Sequence, residues 1–183
     1  AVGHSAGYTH QGYAAVAIGY GAGYSYQSYA ATAVGDNAGR YSQKCLATAI
    51  GVNAGEESQG LDAIAIGLSA GAINQQAEAI AFGYATGQIG QGSKSVAIGT
   101  SAGTTNQGPN AIALGAYAAA CDGHDYSIVL NASGDYLDAT ASGLFIKPVR
   151  YTDVQDETND GLMFYNQNTG EVRYSYILDG GSF

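Results

Sequence analysis

The strongest regularity in this chain is a pattern of hydrophobic and polar positions that repeats every sixteen residues. Each repeat contains a five-residue unit in which branched apolar side chains alternate with small ones, as in residues 15–19, Ala-Val-Ala-Ile-Gly. Branched residues at every second position are typical of a β-strand. The other face of that strand carries only methyl groups or hydrogen, so it allows very close backbone approach. The pattern therefore predicts one short strand at the same place in every repeat.

The glycine that closes this unit, called here the marker glycine, keeps the same phase through eight repeats. The marker glycines are Gly3, Gly19, Gly35, Gly51, Gly67, Gly83, Gly99 and Gly115. A second glycine follows four residues later in all repeats but the last. A period of this length indicates a solenoid in which each repeat stacks on the next. We expect these glycines to supply positive φ or tight turns.

A polar column accompanies the glycines. Glutamine stands eight residues after the marker in seven repeats, at Gln11, Gln27, Gln43, Gln59, Gln75, Gln91 and Gln107. In stacked coils, identical amides lie about 4.8 Å apart and can hydrogen-bond along the stack. The sequence therefore predicts an amide ladder, whereas the columns that vary freely are expected to face solvent.

The predicted fold is all-β: a parallel β-roll of sixteen-residue coils over residues 1–131, rising about 38 Å. The last in-phase stretch, residues 126–131, is interpreted as a degenerate ninth coil. Residues 132–183 are expected to form a small β-rich C-terminal tip. In the tip, a polar connector at 132–143 precedes a strand at 144–151, an acidic loop at 153–160 and a hairpin at 162–177.

Two segments resemble known families. The units at 15–19, 63–67 and 95–99 resemble the head repeat of trimeric autotransporter adhesins, the YadA-like head, over residues 1–131. That resemblance implies a left-handed parallel β-roll that trimerises through its branched face. The segments 144–150, 161–166 and 169–175 are similar to phage and large-virus fibre proteins. In those proteins the pattern precedes an endosialidase-type intramolecular chaperone.

The two faces of the strand are expected to have different surroundings. A thin roll has room inside for alanine but little for branched residues at the same level, so the small face should lie inside. The branched face would then lie at a threefold interface between chains, with Ile18, Ile50, Ile66 and Ile98 as interface residues. Because one coil cannot bury its own apolar face, stacking and oligomerisation must stabilise the protein.

The composition of the chain argues against nucleic acids and membranes as partners. The formal charge is −9 with six Lys and Arg, which argues against nucleic acid, since phosphate binding needs clustered cations. No apolar run approaches a transmembrane span and no signal peptide is visible, so membrane insertion by this segment is not expected. Ala1 falls in mid-repeat, so the natural N-terminus is expected to lie upstream or to have been removed. Cys45 and Cys121 fall five coils apart, so both are predicted to be free thiols.

The candidate chemical groups favour neither catalysis nor a cofactor. His4, His10 and His124 are interpreted as structural or surface residues, and the Asp122–Asp125 segment lacks metal-site spacing. The acidic loop 153–160 is either a solvated loop, the favoured interpretation, or a calcium site. The sequence contains no recognisable nucleophile–base arrangement or phosphate-binding loop. No sequence feature identifies a pair of carboxylates that would act as in a glycosidase. The chain is therefore predicted not to be an enzyme and to carry no metal.

The aromatic residues indicate where a partner could bind. Tyrosines crowd the first three coils, at Tyr8, Tyr13, Tyr20, Tyr24, Tyr26, Tyr29 and Tyr41. They are either an interaction surface or a packing feature. The predicted receptor-binding site lies on the tip, at Arg150, Tyr151, Tyr165, Arg173, Tyr174 and Tyr176. The competing interpretation is that these tip residues only cap the roll.

The leading functional hypothesis is a homotrimeric, non-enzymatic fibre segment on the surface of a phage or large virus, which mediates attachment to a host-surface protein or glycan. The alternative is the extracellular head of a bacterial trimeric autotransporter adhesin that binds host or matrix protein. An ice-binding solenoid would need a row of threonines in one column, but the column shared by Thr32 and Thr48 otherwise holds Val and Ile. An enzyme is the least favoured hypothesis.

Overall fold

The structure is a computed structural model that describes residues 1–149, 162–165 and 172–175. The chain divides into two compact units, residues 1–148 and 149–183. All regular elements of the described residues are β-strands, and no helix among those residues is long and apolar enough to cross a bilayer. The strands of the first unit are β1 (Val16–Ile18), β2 (Thr32–Val34), β3 (Thr48–Ile50), β4 (Ile64–Ile66), β5 (Ile80–Phe82), β6 (Val96–Ile98), β7 (Ile112–Leu114), β8 (Ser127–Asn131) and β9 (Gly143–Lys147).

These nine strands form one parallel sheet in chain order. Each strand pairs with the next at an offset of one repeat, as in Ala17 opposite Ala33. The predicted parallel β-solenoid with sixteen-residue coils is therefore confirmed. The opposite side of the coil is less regular, because only one residue per coil forms a bridge there, such as Thr9 with Ser25. The residue after each bridge has positive φ, for example Tyr26 at 55°, and this ends the extended conformation.

Alanine fills the interior of the roll. The strand alanines, between the two branched residues, have no exposed surface: Ala17, Ala33, Ala49, Ala65, Ala81, Ala97 and Ala113. They pack against a second row of alanines three residues after the marker glycine, such as Ala54 and Ala70. The prediction that the small face lies inside is confirmed.

The marker glycines allow the coils to stack this closely. At Gly67, φ is +126° and an added Cβ would lie 2.3 Å from the carbonyl oxygen of Gly83, the marker of the next coil. No side chain fits between these two backbones. The neighbouring backbone hydrogen bond from Gly83 N–H to Ile66 O is 2.9 Å long. The two backbones therefore approach to the distance at which the strands of neighbouring coils form their hydrogen bonds.

Residues other than glycine also adopt the left-handed conformation in every coil. Three columns, two, seven and eleven residues after the marker, have φ between 45° and 68° throughout the first eight coils. Coil three supplies the examples Asn37, Ser42 and Leu46. Each of these residues turns the chain at a corner of the coil. Only Asn and Asp adopt this conformation at low cost; for Leu or Ala it costs about 1–2 kcal/mol.

The predicted glutamine ladder is present and continuous. Gln27, Gln43, Gln59, Gln75, Gln91 and Gln107 are at most 1% exposed. From Gln11 to Gln107, the Nε2 of each residue donates to the Oε1 of the next at 3.0–3.3 Å. The same Nε2 of Gln59 also donates to the carbonyl oxygens of Thr48 and Ala63. The ladder thus satisfies buried backbone acceptors as well as its own amides.

The C-terminal end of the sheet is wider than the rest. β8 pairs in register with β7, which confirms the ninth coil, and β9 adds a further parallel strand at the same sixteen-residue offset. The sequence prediction ended the roll at residue 131, because the alanine and glycine columns stop there. Along the inner column the side chain grows from Ala113 to Val129 to Phe145, and Leu137 packs beside them.

The second unit is described only by one antiparallel pair, β10 (Leu162–Tyr165) and β11 (Val172–Ser175). Met163 pairs with Tyr174, and Phe164 pairs with Arg173. β10 and β11 lie within the two segments that the sequence predicts to form strands. The other residues of the predicted hairpin at 162–177 and the acidic loop at 153–160 lie outside the described residues.

Candidate functional site

The outer face of the nine-stranded sheet is a continuous apolar surface. Both outward-facing columns of each strand carry Val, Ile, Leu, Phe or Thr and no charged side chain from β1 to β8. The predicted interface residues all lie on this face: Ile18, Ile50 and Ile98 are 39–44% exposed, and Ile66 is half-buried. The sheet therefore holds these four side chains in one row, each two coils or one coil from the next.

This apolar face is broadest in its middle. In coils four to six the column after the marker glycine is also apolar and exposed, at Val52, Leu68 and Tyr84. Phe82 in β5 is 52% exposed beside them. A surface of this extent is uncommon on a soluble monomer, and such patches mark sites of association. The interpretation from sequence did not include this third column, because it is polar in other coils.

The tyrosines of the first three coils stack along the axis of the roll. Four ring pairs, each one coil apart, have centroids separated by 4.6–6.2 Å and planes within 13° of parallel: His4–Tyr20, Tyr8–Tyr24, His10–Tyr26 and Tyr13–Tyr29. We call these eight residues together with Tyr41 the aromatic collar. Its members lie in columns outside the sheet strands, but His4 and Tyr20 occupy the column after the marker glycine, the same column that widens the apolar face further along the roll.

Arg40 marks the edge of the collar. Its guanidinium lies 4.9 Å from the ring centroid of Tyr41 and 6.0 Å from that of Tyr24, within cation–π range. The same group forms an ion pair with Glu56 in the next coil, at 3.7 Å. The sequence interpretation did not single out Arg40; its signal is a cation sharing a column with Tyr24 on one side and a carboxylate on the other.

A polar cavity of about 490 Å³ lies near the eighth coil and is lined by Asn106, Asp122, Gly123, His124, Asp125 and Ser142. Asn106 donates to the carboxylate of Asp122, and the Ser142 hydroxyl donates to the backbone carbonyl of Asp125. Within the described residues no group of three or more His, Cys, Asp or Glu side chains could hold a metal ion. Cys45 and Cys121 are free thiols.

The predicted tip site is only partly described. Tyr165 lies in β10, and Arg173 and Tyr174 lie in β11, so the strand pairing brings the backbones of these two segments together. Arg150, Tyr151 and Tyr176 lie outside the described residues. The assignment of the tip as a binding site therefore stays a prediction.

The end of the roll bears on the alternative that the tip is only a cap. Within residues 1–148, Val129 and Ala139 are buried at the end of the interior, and Leu137 and Phe145 pack against them. Asn131, which replaces a marker glycine, is 4% exposed and donates to the carbonyl oxygens of Ala116 and Asp135. The first unit thus supplies side chains of its own to close its interior.

Comparison of the chain with protein-family models, with curated proteins and with solved structures gave no match.

Proposed function

We propose that this chain is a segment of a homotrimeric, non-enzymatic attachment fibre on the surface of a phage or large virus. In this proposal three left-handed rolls pack around a threefold axis through their apolar sheet faces. The C-terminal tip binds a receptor, protein or glycan, on the host surface. The observation that carries the proposal is the uninterrupted, uncharged apolar face of β1–β8.

Leaving this apolar face in contact with water costs free energy that association of chains would recover. Burying apolar surface gains roughly 25 cal/mol per Å², and a branched side chain transferred completely contributes about 1.5–3 kcal/mol. Ile18, Ile50 and Ile98 retain 39–44% exposure in the single chain, so a large part of this stabilisation is unused. The interior, filled with alanine, cannot accept these side chains. A partner surface of the same chemistry can, and a closed ring of identical chains limits the association to a finite oligomer.

The periodic stem and the irregular tip differ in how well each can provide a unique binding site. A periodic stem presents similar surfaces in coil after coil, and binding residues are usually carried by irregular segments on a rigid scaffold. The roll has its own closing residues at Val129 and Phe145, which weakens the interpretation that the tip exists to cap it. Arginine and tyrosine, concentrated in the tip, are the residue types that dominate interface energetics.

The trimer is tested by changing one residue of the apolar face. Ile66→Asp would place an uncompensated charge in the buried interface, which costs several kcal/mol per trimer. Sedimentation velocity should show a trimer for the wild type and a monomer for this variant. Leu61→Asp is the matched control, since Leu61 is 45% exposed but lies off the sheet face. A wild type that sediments as a monomer, or an Ile66→Asp protein that remains trimeric, would contradict the proposal.

The tip is tested by attachment to host cells. Tyr174→Ala or Arg173→Ala should abolish attachment and leave the melting temperature of the trimer nearly unchanged. A fall in melting temperature with attachment retained would mean that the tip is structural.

The alternative function, the head of a bacterial trimeric autotransporter adhesin, predicts the same roll and the same trimer. The two differ in the flanking sequence of the gene. A coiled-coil stalk and membrane anchor would indicate an adhesin, whereas an intramolecular chaperone encoded after Phe183 would indicate a viral fibre.

A further inference from the structure

We propose that the aromatic collar of the first three coils binds a neutral polysaccharide. This site is separate from the tip and does not rest on the proposed function. The occupant is a chain of uncharged sugar rings, whose apolar C–H faces meet the aromatic rings while their hydroxyl groups exchange hydrogen bonds with phenol, imidazole and hydroxyl groups of the collar.

The collar keeps large aromatic surfaces in water even though its rings are stacked. Tyr8, Tyr13, Tyr20, Tyr26 and Tyr29 are 53–84% exposed. Planar rings in face-to-face contact are separated by about 3.5 Å. The near-parallel pair Tyr13–Tyr29 has its centroids 6.2 Å apart, so these two rings are displaced sideways and part of each face is uncovered. An aromatic face carries negative quadrupole charge and attracts positively polarised C–H groups.

The rings are also held in place before any ligand arrives. Each pair is anchored on neighbouring coils whose backbones are hydrogen-bonded, as in Thr9 N–H to Tyr24 O and Ser25 N–H to Arg40 O. A tyrosine has few rotatable bonds, and stacking restricts them further. Ordering side chains on binding costs about 0.5–1.5 kcal/mol each, so prior ordering favours affinity for a ligand that touches several rings weakly.

The charge of this surface selects the class of ligand. Residues 1–35 contain no Asp, Glu, Lys or Arg, although the chain has 21 such residues. Phenol and imidazole groups and the hydroxyl groups of Ser25 and Ser28 offer hydrogen-bond donors and acceptors. A sulfated or sialylated glycan would find no Lys or Arg within residues 1–35, and Arg40, which contacts Tyr24 and Tyr41, is ion-paired with Glu56. The composition therefore favours a neutral sugar.

A polysaccharide fits this surface better than a protein does. Protein interfaces are organised around a few anchors buried in pockets, whereas the cavity identified in the described residues lies near the eighth coil, far along the chain from the collar. The collar instead offers four short rows of rings, repeated at the spacing of the coils. A polymer of repeating rings can use such rows by making several equivalent contacts. The rows that begin at Tyr8, His10 and Tyr13 lie in columns outside the apolar face, so packing through that face leaves these three rows on the outside.

The test uses immobilised polysaccharides of defined composition: neutral dextran, amylose, mannan, galactan and xylan, with heparin and polygalacturonate as anionic comparators. The wild-type chain should bind at least one neutral polymer. Raising the salt concentration about tenfold should leave that binding unchanged, since screening acts on charges. Binding to none of the neutral polymers, or to anionic ones only, would overturn the proposal.

Variants locate the site. The collar variant replaces by alanine the tyrosines Tyr13, Tyr20, Tyr26 and Tyr29. Its binding should fall at least about tenfold, since four aromatic faces that contact sugar C–H groups are removed. A companion variant with phenylalanine at these four positions keeps the rings, so it should fold as the wild type does and lose affinity more moderately. The control variant replaces two exposed tyrosines outside both the collar and the apolar face, at 64–67% exposure, by alanine: Tyr126 and Tyr136.

The outcomes are distinct. Equal binding by the collar and control variants would contradict the proposal. If the alanine variant fails to fold, the phenylalanine variant decides, and unchanged polysaccharide binding by that variant would also contradict the proposal. Tyr174→Ala should leave polysaccharide binding unchanged, which separates this site from the tip. If no neutral polymer binds but the collar variant loses attachment to host cells, the collar recognises a protein and the proposal is wrong.

Discussion

Replacing a marker glycine by alanine in the middle of the roll is the most direct perturbation of the stacking. Gly67 has φ of +126°, and a Cβ at this position would come within 2.3 Å of the Gly83 carbonyl oxygen and 2.8 Å of its carbonyl carbon. Both atoms belong to backbone, so no side chain can rotate away. We expect Gly67→Ala to be among the most destabilising single methyl additions possible in this chain.

The magnitude follows from two contributions. Holding a residue other than glycine at this φ costs of order 1–3 kcal/mol. Relieving the contact from 2.3 Å to the 3.4 Å of ordinary contact means moving the two coils apart by about 1.1 Å. That movement would lengthen the Gly83 N–H to Ile66 O bond from 2.9 Å beyond hydrogen-bonding distance and leave buried polar groups unpaired, at about 1–3 kcal/mol. The expected total is about 2–6 kcal/mol.

Gly143 supplies a matched control. Its φ of +139° is close to that of Gly67, but an added Cβ would have no atom within 4 Å. Gly143→Ala should therefore show the conformational cost alone, about 1–3 kcal/mol. Urea unfolding followed by circular dichroism, at one protein concentration for all variants, measures both. If Gly67→Ala is no more destabilising than Gly143→Ala, close coil stacking is not what requires glycine.

Two further predictions concern the ladder and the corners of the coil. Gln59→Glu replaces an amide that donates to Thr48 O, Ala63 O and Gln75 Oε1 by a buried carboxyl, whose pKa in the folded protein should rise above the unfolded value of about 4.3. Relative to wild type, Gln59→Glu should be least destabilising below about pH 4.3, and its loss of stability should grow to several kcal/mol by neutral pH. The loss of stability in Gln59→Leu should not vary with pH. If the melting temperatures of both variants change with pH in the same way from pH 3.5 to 7.5, the prediction is wrong. Leu46 is half exposed with φ of 61°, so Leu46→Gly should raise stability by about 0.5–1 kcal/mol, the relief of left-handed strain less the added chain entropy. Leu46→Ala keeps the strain and should not stabilise, and equal urea midpoints for the two Leu46 variants would contradict the reasoning.

The sequence predicted the features that depend on exact repetition. Glycine, alanine and glutamine columns have only one way to be satisfied in a stack: glycine where backbones meet, alanine inside, and glutamine in line with glutamine. The structure bears out all three, at Gly67, Ala65 and Gln59 for example. Patterns of this kind are informative because each residue type meets a copy of itself in the next coil.

Features that depend on the geometry of one coil were harder to predict. Left-handed corners occupied by Ser, Ala, Leu and Glu do not follow from residue type, since none of these prefers that conformation. On the second side of the coil the pairing is limited to single bridges, because the left-handed residue after each bridge ends the extended conformation. The extra strand β9 kept the sixteen-residue spacing, but its inner residue, Phe145, replaces the usual alanine, and the alternation was interpreted as a separate strand. Stacking of the collar rings and the contact of Arg40 with them required the positions of side chains around the coil, which columns alone do not give.

The direction of the glutamine ladder determines how a roll of this kind can change in length. Every amide from Gln27 to Gln91 donates to the next coil and accepts from the one before it, so a whole coil can be duplicated or deleted in the gene with every such amide still paired. An insertion that shifts the register by one residue would turn branched residues into the alanine interior. Recombination within the repeats would thus vary the reach of the protein in steps of about 4.8 Å. The coil that carries Gly123 in place of glutamine fits only at the end of the ladder, which confines such variation to the coils before it.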